Sequence, residues 1–290
     1  MMKKSLQIGL SIGVVTTLGI GFSGCGSSGG DSSDNTVQTG TLVDAPIQGV
    51  AYSTATQSGI TDSQGHFKYK TGEVVTFKIG NLMLGSVTSH KNITPLTLGG
   101  DASLSSVGTK ATNIARILQT LDANSSNDNI IVIPSELKDL NVTNIDLTNE
   151  ADLNTILQTA QAKTSKTYNL VDSNSAKTKM TSYLNKYLFN GTYSVVATFD
   201  SSKSSQNASY CGSSSNWTFI IDTANRTVTG YNDTKTNSIT SATQNYENIS
   251  GSLADGTNWN AIFSPDGTKL AGQYNYGNGE CVGTIRGTKN

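Results

Sequence analysis

The sequence predicts a multidomain, mainly β protein with a helical middle: a small β-sandwich, a short helical module and a C-terminal antiparallel β-barrel or sandwich. Three observations lead there. Short alternating apolar and polar runs, broken by turn residues, fill 38–98 and 189–290. Between them, over 109–188, the apolar residues switch to helical spacing. The chain is also polar without being charged: 14% of residues are charged, there are four prolines, and Ser, Thr, Asn and Gly are abundant. That composition fits β-rich, polar-surfaced domains of exported proteins.

Residues 1–24 read as a signal peptide. Lys3 and Lys4 precede an uncharged apolar run, Ile8 to Phe22, and then the small pair Ser23-Gly24. The run is about 15 residues, too short to span roughly 30 Å of hydrocarbon as a helix. Ser23-Gly24-Cys25 resembles the lipobox of bacterial lipoproteins, with Phe22 where that family has Leu. The resemblance implies cleavage before Cys25 and acylation of its sulfur and freed amine. Several acyl chains, at ~0.8 kcal/mol per buried CH₂, hold a protein on a membrane. Gly26, rather than Asp, after the cysteine implies the outer membrane, with the chain facing the periplasm or the cell surface. After Cys25, residues 26–37 are Gly, Ser, Asp, Asn and Thr with one apolar residue, Val37. They read as a flexible tether of some 20 Å reach.

Residues 38–98 read as the sandwich. Thr41-Leu42-Val43 leads into Asp44-Ala45-Pro46, and Val50-Ala51-Tyr52 alternates. Gly65 is placed to close a hairpin with φ > 0. Phe67 and Tyr69 share a face, and Glu73 to Ile79 and Leu82 to Val87 complete the set. The string TGTLVDAPIQGVAY…GITDSQGHFKY resembles the prealbumin-like modules of bacterial surface proteins, of the carboxypeptidase-regulatory-like and adhesin B-type kinds. The resemblance implies a small β-sandwich over about 60 residues. The internal Lys–Asn bond of adhesin modules is not carried over, because the first strand has no Lys.

Three stripes predict helices in 109–188: Ile114, Ile117, Leu118 and Leu121; Leu153, Ile156, Leu157 and Ala160; Met180, Tyr183, Leu184 and Tyr187. A short helix begins at Ser135, and Asp122 to Asn129 is a polar break. Core packing, not a cofactor box, accounts for such stripes. The order of lipobox, D-x-P-I-x-G-V corner and T-N-I-A-R-I-L-Q-T-L-D helix resembles uncharacterised exported lipoproteins of proteobacteria. It implies the architecture and no activity.

Residues 189–290 read as about seven strands separated by explicit turns such as Ala254-Asp255-Gly256 and Pro265-Asp266-Gly267. Trp217, Phe219 and Ile221 share a face, as do Trp259, Ala261 and Phe263. Short loops favour an antiparallel meander. Gly230, Gly251, Gly272 and Gly283 suit bends or close approaches in a small barrel. The pattern resembles lipocalin-like barrels. With Cys25 used by the anchor, Cys211 and Cys281 are an even pair in an exported protein and are expected to form a disulfide. It would close a loop of about 70 residues, worth ~4 kcal/mol on a chain-entropy argument. The alternative is a pair of reactive or metal-binding thiols.

Few constellations carry chemistry. Net charge is −1 and no basic face is evident, so nucleic acid is not an expected partner. No HExxH, CxxC or GxxxxGK[ST] string is present, and the two histidines, His66 and His90, read as surface residues. Gly26-Ser27-Ser28-Gly29-Gly30 matches G-x-S-x-G only in the tether. Ser33-Asp34-Asn35, Lys70-Thr71-Gly72 and Ser135-x-x-Lys138 match penicillin-binding signatures in reversed order. Asp122, Asn124, Ser126 and Asp128 space oxygens like the start of a calcium loop. Asn127 stands in place of the sharp-turn Gly, and Ile133 in place of the closing Glu, so a solvated turn is the better reading. Asn124 and Asn141 lie in sequons with an acid two residues earlier, candidates for bacterial N-glycosylation.

The expectation is therefore a membrane-anchored, non-enzymatic lipoprotein without a cofactor, presenting binding or adhesion domains to a protein or glycan. The alternatives are a lipocalin-like carrier of a small apolar ligand and an exported hydrolase. The hydrolase would need two carboxyls about 5–10 Å apart, drawn from Asp200, Asp222, Asp255 and Glu280.

Overall fold

The computed structural model describes residues 36–101, 106–127, 129–236, 238–245 and 247–290. The first part is built on strands β1 (Gln38–Leu42), β2 (Ile47–Gln48), β3 (Ala51–Ser53), β4 (Ser58–Ile60), β5 (His66–Tyr69), β6 (Val74–Ile79), β7 (Leu82–Thr88) and β8 (Asn92–Ile93). One sheet runs β5-β1-β8 and the other β4-β3-β6-β7. Period-two alternation puts Val75, Phe77 and Ile79 of β6 inside while Val74 and Lys78 face out. Phe67 and Phe77 meet edge to face at 5.2 Å in the core. Burying side chains of this size is worth about 1.5–3 kcal/mol each.

Gly65 does adopt φ +74, but the hairpin expected there is not formed. β4 pairs with β3, and β5 pairs with β1. The Asp62–Gly65 turn instead carries the chain from one sheet to the other. Its geometry is held by Asp62 Oδ1, which accepts from the Gln64 and His66 amides, both at 2.9 Å.

Helix α1 (Pro95–Gly99) was not visible as an apolar stripe. It is set by Thr94, whose side chain accepts from the Thr97 amide while Thr97 caps back. Helix α2 (Thr109–Thr120) follows, then β9 (Ile131–Val132), which pairs in parallel with β2. A 3₁₀ turn spans Ser135–Asp139. Helix α3 (Glu150–Thr164) is capped by Asn149, and α4 (Ser173–Leu184) by Asp172. None of the described helices is long and apolar enough to cross a membrane.

Helix α2 is buried nearly all round. Ile114, Ile117, Leu118 and Leu121 join the sandwich core, together with Leu153, Ile156 and Ala160 of α3. Ala111 and Ala115, on another face, belong to a second core with Met180 and Leu184 of α4 and the inward residues of the last hundred positions.

That last segment is a closed eight-strand antiparallel barrel. Its strands are β10 (Gly191–Phe199), β11 (Ser214–Asp222), β12 (Thr227–Asn232), β13 (Ile239–Asn245), β14 (Asn248–Leu253), β15 (Asn258–Phe263), β16 (Lys269–Tyr276) and β17 (Cys281–Lys289). A four-residue helix, α5 (Ala208–Cys211), lies between β10 and β11. Neighbours in sequence pair in space, and β10 closes on β17 from Tyr193↔Lys289 to Phe199↔Gly283. The expectation of about seven strands missed β13, whose ITSATQN has no bulky apolar residue beyond Ile239 to reveal its period.

Asp44 sits in the corner between β1 and β2, with its side chain fully buried under α2. Gln119 Nε2 donates to its Oδ2 at 3.0 Å and to the Ala176 carbonyl at 3.2 Å. Asp44 Oδ1 and Gln119 Oε1 are buried with no donor. A proton on the carboxyl removes the buried charge and adds the donor that this group of acceptors lacks. Burial pushes the Asp44 carboxyl up from 3.8 to about 8, against the opposing pull of the Gln119 hydrogen bond and the Lys179 charge. The native state therefore holds a proton that the unfolded chain releases. The stabilisation is complete below the unfolded value and is lost as pH rises through about 8. The steepest slope is about 1.4 kcal/mol per pH unit. Asp44→Asn keeps the shape and supplies a neutral donor. Urea unfolding between about pH 5 and pH 8 should show parent stability falling while the variant stays nearly flat. Parallel curves would show that Asp44 is ionised in the fold.

Candidate functional site

The barrel has two unlike ends. At the inner end the chain leaves α4 through a π turn, Asn185–Phe189, and enters β10. Phe189 stacks on Phe263 at 4.7 Å, and Tyr193 packs on Phe263 at 5.3 Å. The Tyr193 hydroxyl donates to the Gly267 carbonyl at 2.8 Å, and burial pushes its pKa up. Lys289 Nζ donates to the Leu188 carbonyl at 2.7 Å. Desolvation there pushes the lysine down to about 8. This end is plugged.

The outer end is hollow. A cavity of about 440 Å³ opens there, within the range of roughly 300–1,000 Å³ of small-molecule sites. Its walls include Trp217, Phe219, Trp259, Tyr274 and Tyr276. The strand register explains how so many rings fit. Phe219 lies opposite Gly230, Trp259 opposite Gly251 and Tyr274 opposite Gly283. Each ring lies beside a position with no side chain. A Cβ at Gly283 would meet the Tyr274 ring and the Thr198 carbonyl. Ala197, on β10, leaves the remaining space.

Four loops rim the opening, with described residues 200–213, 233–236, 254–257 and 277–280. Cys211 and Cys281 are bonded, with Cα atoms 5.6 Å apart. The bridge fixes the long 200–213 loop to the start of β17. Asp255 is the charged side chain in the cavity wall. Its Oδ1 accepts from the Thr257 amide at 2.9 Å. The Trp217 indole N–H donates to Ser215 Oγ at 3.0 Å. The Trp259 N–H is buried without an acceptor.

The expected site residues are distributed as follows. Cys25 lies outside the described residues, as does Asp128. Asp122 Oδ1 accepts from the Asn124 and Val132 amides, both at 2.9 Å, so it ends α2 as a turn. Ser126 is exposed. Among the described residues no group of three or more His, Cys, Asp or Glu could hold a metal ion. Asn141 is exposed in a loop, its Oδ1 accepting from Asn81 Nδ2 at 2.7 Å. Asn124 lies in the turn after α2 and is half-buried.

His66 lies at the surface, 3.1 Å from Asp62 Oδ2. His90 does not fit its reading as a surface residue. It is half-buried where the sandwich meets the barrel, 3.5 Å from Asp266 Oδ2, and burial pushes its pKa down. The four acids of the hydrolase reading divide between the two ends of the barrel. Asp222 belongs to the plugged end, where its Oδ1 caps the Ala224 and Asn225 amides. Asp200, Asp255 and Glu280 belong to loops of the open end, and a hydrogen bond from Ser202 holds Asp200 below its ordinary range. Sequence reading had flagged Trp217, Phe219 and Trp259 only as a face. Phe219 and Trp259 are marked by the glycine opposite each, Gly230 and Gly251, whereas Trp217 lies opposite Val195 and Asn232.

Comparison with protein-family models gives no match to this chain, and comparison with curated proteins gives none.

The bridge bears on this site directly. Cys211→Ala with Cys281→Ala should lower unfolding stability by about 2–4 kcal/mol, since the loop it closes spans 70 residues. Urea denaturation measures it, and an unchanged midpoint would mean the bridge constrains nothing.

Proposed function

We propose that this chain is an envelope lipoprotein, anchored through Cys25, whose barrel holds a small ligand with a large apolar or aromatic surface. One observation carries the reading: a closed barrel, plugged at one end, with an aromatic-walled cavity of about 440 Å³ at the other. Ring faces supply most of the contact energy available to an apolar ligand. The lipobox-like Ser23-Gly24-Cys25 and the tether support display at the outer membrane. In this reading the sandwich and helices form the stand that closes the inner end of the barrel.

Both tryptophans of the chain line the cavity, so tryptophan emission reports on it. The chain from residue 26 on should shift its emission when titrated with apolar fluorescent or aromatic probes. Ala197→Phe fills the space and should weaken binding at least about tenfold, with circular dichroism unchanged. Undiminished binding by that variant would remove the cavity from the account. The anchor is tested separately: Cys25→Ala should abolish incorporation of labelled palmitate and leave the precursor uncleaved.

A further inference from the structure

We propose that the ligand of this cavity is an organic cation, an ammonium or quaternary ammonium group on an apolar body. The proposal rests on the carrier reading and names its ligand class. The walls include four electron-rich rings, Trp217, Trp259, Tyr274 and Tyr276. The face of an indole or phenol ring carries negative charge density and attracts a desolvated cation more than a neutral group of the same shape. Asp255 is the charged residue among the lining side chains.

The rim continues the same sign. Its loops carry Asp200, Asp233, Asp255 and Glu280 against Lys203 and Lys235, and no Arg or His. Four acids against two lysines leave the rim net negative, and each lysine already has a partner. Lys203 Nζ is 3.5 Å from Asp200 Oδ2, and Lys235 lies over the Tyr231 ring at 5.4 Å. The Glu280 charge, with Tyr276 beside it, pushes the Tyr210 phenol up. The cations of the barrel that could hold a carboxylate are at the wrong end. Lys289 is committed to the Leu188 carbonyl at the plug, and Lys269 begins β16 at that same end. A fatty-acid-like anion would have to leave water for ring faces and a carboxylate, with nothing to receive its charge. A cation gains at both the ring faces and the rim, and low-dielectric walls concentrate that field.

The test compares benzyltrimethylammonium with neopentylbenzene, its neutral carbon isostere, and with benzoate, by tryptophan fluorescence and calorimetry on the chain from residue 26 on. The cation should bind at least about tenfold tighter than the isostere, and benzoate more weakly than either. Raising salt should weaken the cation alone. Asp255→Asn keeps the acceptor for the Thr257 amide, so it is expected to preserve the turn. It should cost the cation about five- to tenfold and leave the isostere unchanged. An isostere or benzoate that binds as tightly as the cation, or an Asp255→Asn variant with full cation affinity, overturns the inference and leaves the carrier reading standing. Binding of none of the three overturns both.

Discussion

The structure depends on a helix with no free side. Helix α2 gives its aliphatic face to the sandwich and its alanine face to the barrel-side core, which leaves Asn113, Arg116 and Gln119 to be satisfied inside. They recur every three residues, so they form one buried polar stripe. Asn113 Nδ2 donates to the Leu147 carbonyl at 2.8 Å. Arg116 binds both oxygens of Glu150, at 2.6 and 2.8 Å, and donates from Nε to the Val171 carbonyl at 2.7 Å. Gln119 reaches Asp44 and the Ala176 carbonyl. Each of these bonds fixes a different segment against α2. An unmet partner here would cost more than a typical surface bond is worth, so the stripe sets where α3, α4 and the Asp44 corner must sit.

The same stripe explains why two strings that are distant in sequence belong together. The D-x-P-I corner supplies Asp44, and the T-N-I-A-R-I-L-Q-T-L-D helix supplies Gln119. Neither string contains catalytic chemistry. Their shared physical content is a carboxyl and an amide that complete each other away from water. In the barrel, by contrast, polar partners are spent at the plugged end, where Tyr193 and Lys289 tie down backbone carbonyls. The open end keeps rings and a carboxylate with little else to contact. That asymmetry separates a packed core from a binding site within one barrel.

Much of the β architecture was legible, because period two is written directly in segments such as Val74–Ile79 and Trp217–Ile221. The α2, α3 and α4 stripes were legible for the matching reason. What failed were elements without an apolar signature. Strand β13 is polar and small, α1 is one turn set by a Thr–Thr capping box, and Gly65 joins two sheets where local sequence can only say turn. The cavity was illegible as such, because hollowness depends on which glycine faces which ring across a strand pair, and register is not a local property. The disulfide pairing was legible by elimination, and its bonded geometry agrees.

The barrel closes between its first strand and its last. Ser194 Oγ donates to Asn290 Oδ1 at 2.7 Å, and the final amide reaches the Thr192 carbonyl at 3.0 Å. Without β17, β10 has one open edge, and the aromatic interior has no wall on that side. The sandwich core needs none of these residues, since its members all come from positions 42 to 187. The sandwich core can therefore form before β17 docks, and the chamber exists only once β17 has paired with β10.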